Sequence, residues 1–88
     1  NHYNLALLAI SDEDYPQALK AIKKAIRLKS DEAEFYYQQS LIYQQLQQLV
    51  QSREALMLAI VNSQDKKRLC AYQKQLRLLN QQMTLQKP

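Results

Sequence analysis

The side chains able to do chemistry are few, and their spacing does not suit catalysis. His2 is the only histidine and Cys70 the only cysteine in 88 residues. A metal centre or a nucleophile–base pair needs two or more such groups brought together, and one histidine at the chain end supplies neither. Asp12, Glu13 and Asp14 stand in a row, a pattern that serves helix capping better than acid–base work. With no glycine in the sequence there is no loop to cradle a phosphate. The chain is expected to be non-enzymatic, with no catalytic residue, metal or cofactor.

Charge is the remaining resource, and it is unevenly placed. Residues 1–32 carry five acids and five bases, 33–65 three acids and one base, and 66–88 six bases and no acid. Lys66, Lys67 and Arg68, with Lys74 and Arg77, form a basic patch, and Tyr72 lies close enough in sequence to stack on a base. Nucleic acid is therefore a rival partner class. A solvated basic face serves an acidic protein or a membrane surface equally well. The lone Cys70 excludes an internal disulfide and does not choose between cytoplasm and periplasm; it is read as a small buried or half-buried apolar residue.

The elements that must position these groups are helices. The sequence has two prolines and no glycine, and its alanine, leucine, lysine and fourteen glutamines are good helix formers. Asn1 to Ser11 reads as the remainder of a first helix, entered within its apolar period at Leu5, Ala6 and Ala9. Such a start is expected of a piece of a longer chain. Pro16 opens a second helix, with Ala18, Leu19, Ile22, Ala25 and Ile26 on one face and Lys20, Lys23, Lys24 and Arg27 on the other. Asp31 is expected to cap a third helix, with Glu34 as capping-box partner, and this helix is drawn to about Gln47. A turn near Gln47 to Val50, with no strong breaker in it, leads to a fourth helix with Ala55, Leu56, Ala59 and Ile60 inward. Ser63 or Asp65 can cap the last helix, drawn to Gln86, whose stripe is Leu69, Tyr72, Leu76, Leu79 and Met83. No apolar run approaches the ~20 residues that span a bilayer.

The chain also matches itself at a spacing of 34 residues: Ala25-Ile26 recurs as Ala59-Ile60, Ile22 as Leu56, and Asp31 as Asp65. A register kept through core and loop alike means two stacked copies of one unit, neither of which buries its apolar face alone. These residues resemble the tetratricopeptide repeat family. Leu5-Ala6, Tyr15, Ala18, Ile22, Ala25 and Ile26 fit a first unit, residues 1–31; Tyr36, Ser40, Tyr43, Leu56, Ala59 and Ile60 fit a second, residues 32–64. His2 stands at the family's usual Trp position and Ser30 at its usual Pro; Leu49 and Ser52 replace a Tyr and an Ala. Residues 65–86 depart from the pattern and are read as a capping helix, with a dimer seam as the alternative. The implied fold is all-α, a right-handed solenoid of two helix-turn-helix repeats and a cap. Small residues Ala6, Ala18, Ser40 and Ser52 are expected where helices approach closely, with Tyr15, Tyr36 and Tyr43 in the core.

The resemblance further implies a concave face lined by the first helix of each pair. It assigns Tyr3, Leu7 and Ile10 to that face from the first unit, Tyr37, Leu41, Gln44 and Gln45 from the second, and Ala71, Gln75 and Leu78 from the last helix. Apolar and amide-rich, this set suits a peptide or a partner subunit. The family's carboxylate-gripping members use Lys, Asn and Arg at positions that here are Tyr3, Leu7, Tyr37, Leu41, Ala71 and Gln75, so that mode is not expected. The alternative role is an accessory docking region of a larger enzyme or of a secretion or envelope assembly factor.

Overall fold

The computed structural model describes residues 1–85 as five helices: α1 (His2–Ser11), α2 (Tyr15–Leu28), α3 (Ala33–Gln45), α4 (Leu49–Asn62) and α5 (Lys66–Leu85). Helix accounts for 84% of these residues, with no strand among them, and the stack is a helical solenoid. The expected last residue of the cap, Gln86, lies outside the described residues. No described helix is long and apolar enough to cross a membrane.

Each pair closes on small residues. Ala6 on α1 and Ala18 on α2 are fully buried, so the two backbones approach without a side chain between them. The second pair uses hydroxyls at the same register: Ser40 Oγ and Ser52 Oγ lie 3.1 Å apart, and Ser52 Oγ donates to the Ser40 carbonyl at 2.8 Å. A buried hydroxyl left unpaired destabilises, and here each satisfies the other.

Two clusters make the core. Ala6, Ala9, Ala18, Ala21, Ile22 and Ala25 receive Ile42 from α3, which joins the repeats. Tyr36, Leu49, Leu56, Ala59, Tyr72 and Leu79 form the second, with Leu76 and Met83 packed against it. Four of the five residues of the α5 stripe, Tyr72, Leu76, Leu79 and Met83, thus pack on their own chain. Of the three expected core tyrosines, Tyr36 is buried and Tyr15 and Tyr43 are half-buried. Cys70 corrects its reading: it is exposed, because an inward stripe at 69, 72 and 76 turns position 70 outward.

The turns explain the boundaries. Glu13 and Gln47, one repeat apart, both take left-handed backbone, at φ 59° and 62°. Asp14 N–H then bonds the Ala9 carbonyl at 2.8 Å and Gln48 N–H the Tyr43 carbonyl at 2.9 Å, the six-residue closure usual after a glycine. This ends α3 at Gln45 instead of the expected Gln47. Asp14 caps α2 by accepting from Gln17 N–H, and Asp65 accepts from Lys67 N–H at 2.9 Å to open α5. Asn1 likewise caps α1, accepting from Asn4 N–H. Asp31 does not cap α3: the helix starts at Ala33, which makes Glu32 the cap position, without a side-chain cap bond, its carboxylate lying 3.5 Å from Lys29 Nζ instead.

Candidate functional site

The face shared by α1, α3 and α5 carries the side chains singled out for partner binding. At its α1–α3 end, Ile10, Leu41 and Gln45 meet with Tyr15, Gln38 and Ile42 around a cleft of about 180 Å³. Leu7 is exposed one turn before Ile10, and Leu41 is half-buried. The floor is aliphatic and the rim amide. Such a pocket can hold an apolar side chain while the amides bond a partner's backbone.

Elsewhere on this face the expected residues already have partners inside the chain. Gln75 Nε2 donates to Gln44 Oε1 at 3.2 Å, and Gln44 Nε2 donates to Gln82 Oε1 at 3.1 Å, so the α3 amide is held at both ends by α5. Tyr37 stacks on Tyr72, centroids 4.9 Å apart, and Tyr3 on Phe35 at 4.8 Å. Ala71, Leu78 and Gln45 are exposed. Ile10, Leu41 and Gln45 are brought together; Tyr3, Tyr37, Gln44 and Gln75 join neighbouring helices.

The residue that sequence reasoning placed only as a cap, Glu34, is the centre of a polar network. Its carboxylate accepts from Arg68 at 2.8 Å, Gln38 at 3.1 Å, Tyr72 Oη at 3.2 Å and Tyr3 Oη at 3.4 Å. One side chain on α3 thereby ties α1 to α5. Burial, then the Glu34 charge, pushes the Tyr3 phenol above its usual value; burial does the same to Tyr72. A signal for this was present, since Glu34 and Arg68 are opposite charges one repeat apart.

The basic patch is divided by these contacts. Lys66, Lys67, Lys74 and Arg77 are exposed, whereas Arg68 is paired with Glu34 and, at 3.9 Å, with Asp65. Tyr72 cannot stack on a base: it is 2% exposed, its ring on Tyr37 and its hydroxyl on Glu34. Beside it a larger cleft of about 490 Å³ lies between the α2–α3 and α4–α5 loops, its rim carrying Lys29, Asp31, Glu32, Asp65 and Arg68.

The stacking of like pairs, with small residues at each crossing and α3 received by the first pair, is mirrored in sequence comparison. The tetratricopeptide repeat profile matches residues 1–32 and 33–60. The chain belongs to the tetratricopeptide repeat family. Tetratricopeptide repeats generally mediate protein–protein interaction and are typically non-catalytic, so the implied partners of this chain are proteins. Among curated proteins and solved structures, none matches the chain.

Proposed function

We propose that the chain is a non-enzymatic interaction module that takes a peptide or partner subunit in the groove formed by α1, α3 and α5, the concave face of the solenoid. The observation that carries this reading is the cleft at Ile10 and Leu41, open beside the exposed Leu7. Tyr3, Tyr37, Gln44 and Gln75 form the walls and tie α1, α3 and α5 together, through bonds within the chain. Ala71 contributes a flat edge, and Gln45 an exposed amide able to bond a peptide backbone. Lys66, Lys67, Lys74 and Arg77 lie outside the groove on the cap and steer an acidic partner toward it, raising association rate more than affinity.

The test is a double truncation, Ile10→Ala with Leu41→Ala, in the protein. Partners retained from native extract are identified, then titrated against both proteins. Affinity falls by about 2 kcal/mol or more if these side chains anchor the ligand. Tyr37→Ala is a poorer probe, because its ring supports Tyr72 and its loss also loosens α5. Undiminished binding by a folded Ile10→Ala, Leu41→Ala protein removes the groove from consideration.

A further inference from the structure

The outer face, opposite the groove, differs between the two repeats in a way the fold does not require. At the 34-residue register, Pro16 answers to Val50, Lys20 to Glu54, Lys23 to Met57, Lys24 to Leu58, and Arg27 to Val61. α2 buries Ala18, Ala21, Ile22 and Ala25, and α4 buries Ser52, Ala55, Leu56 and Ala59. At 3.6 residues per turn, the five paired positions stand on the far side of each helix, and all ten residues are exposed.

One scaffold position set therefore carries a cationic stripe on α2 and an aliphatic stripe on α4. None of Lys20, Lys23, Lys24 and Arg27 enters an ion pair among the described residues. Val50, Met57, Leu58 and Val61 surround a single carboxylate, Glu54, and Val61 is 78% exposed. α2 and α4 both pack against α3, and Ile26 of α2 reaches the cluster that holds Tyr36, Leu49, Leu56 and Ala59, so the two stripes lie on the same side of consecutive repeats. Neither stripe stabilises the fold, and aliphatic side chains in water at this density mark a contact surface.

We propose that this outer face docks an acidic amphipathic helix of a partner protein. Its aliphatic side lies along Val50, Met57, Leu58 and Val61, and its acidic flank meets Lys20, Lys23, Lys24 and Arg27. The occupant follows from charge complementarity: four unneutralised cations beside an apolar strip call for acids beside an apolar strip. Val50 and Val61 are eleven residues apart, about 16 Å along the helix, the length over which a docked helix presents anchors at i, i+4, i+7 and i+11. Glu54 favours a helix over a bilayer. On an anionic membrane that carboxylate, centred in the inserting strip, is driven toward headgroups of its own sign and into the apolar boundary. Against a helix it needs only one basic or amide side chain opposite.

The experiment titrates the chain into a labelled helical peptide of about 16 residues, with leucines at i, i+4, i+7 and i+11, glutamates on one flank and glutamines on the other. A twin peptide carries lysines instead, and a parallel titration uses phosphatidylcholine–phosphatidylserine vesicles. The acidic peptide binds, and the lysine twin binds at least about tenfold more weakly. Met57→Glu with Val61→Glu weakens binding at least about tenfold with an unchanged melt, and the milder pair Met57→Ser with Val61→Ser weakens it less. Lys23→Glu with Arg27→Glu weakens binding and removes most of its salt dependence. Ile10→Ala with Leu41→Ala leaves it unchanged, which separates this face from the groove. No binding of the acidic peptide, equal binding of both peptides, or survival of binding in the Met57→Glu, Val61→Glu protein overturns the proposal. Binding to vesicles but not to the peptide overturns it in favour of a membrane surface.

Discussion

Replacing Glu34 by alanine should loosen the last helix from the stack. The carboxylate has four donors, and their environments rank their importance. Arg68 offers the shortest contact, 2.8 Å, but its side chain is largely in solvent, so water replaces the lost partner and screens the pair. Tyr3 lies at 3.4 Å, at the edge of hydrogen-bond distance. Tyr72 decides the magnitude, because it is buried and its hydroxyl, at 3.2 Å from Glu34, loses its acceptor. A buried donor left unsatisfied costs about 1–3 kcal/mol. A loss near 2 kcal/mol lowers Tm by about 10 °C in a domain of this size. Glu34→Gln keeps an acceptor oxygen and should cost about 1 kcal/mol or less. Thermal melts of Glu34→Ala, Tyr72→Phe, Arg68→Ala and the two double variants close two thermodynamic cycles. The coupling of Glu34 to Tyr72 should exceed that to Arg68. Amide exchange should quicken in α5 before α2, since solenoid stability is lost from the weakened interface outward. A Glu34→Ala protein that melts with the parent, or a larger coupling to Arg68 than to Tyr72, refutes the reasoning.

Three further outcomes follow from the packing. Ala25→Leu or Ala59→Leu, each at a buried helix contact, should cost about 1–3 kcal/mol by overpacking; a melt within about a degree of the parent would show that the assigned contact is not close-packed. Glu13→Gly and Gln47→Gly, at the left-handed positions, should each raise stability by about 0.5–1 kcal/mol, because a side chain there is strained and glycine is not; a loss on denaturant unfolding would contradict it. Tyr3 and Tyr72 hold their protons more tightly folded than at the ordinary phenol value of 10.0. Their stabilisation is therefore intact below that value and lost as pH rises through it toward the raised folded values, where the unfolded chain releases protons first. Melts taken from about pH 9 to pH 11 should fall less steeply in the Tyr3→Phe, Tyr72→Phe protein, and equal slopes would count against the linkage.

The sequence by itself determined which residues turn inward, because in a helix the spacing of side chains along the chain sets the face they occupy. Ala6, Ala18, Ser40, Ser52, Ala25 and Ala59 were legible this way, as was the stripe of α5, and the 34-residue self-match located the repeats. The end of α3 was not legible, since Gln47 supplies the left-handed turn that glycine usually marks; its register with Glu13 was the only trace. Tertiary structure alone decided which outward residues find partners. Spacing within a helix carries no information about what stands opposite in the next repeat. So Glu34 passed for a cap, Tyr72 for a free stacking ring, and Gln44 and Gln75 for unoccupied amides, until the close approach of α1, α3 and α5 joined their polar ends. The groove and the outer stripes differ because the close approach of α1, α3 and α5 joins polar side chains across the inner face, whereas the cations of the outer face enter no ion pair among the described residues.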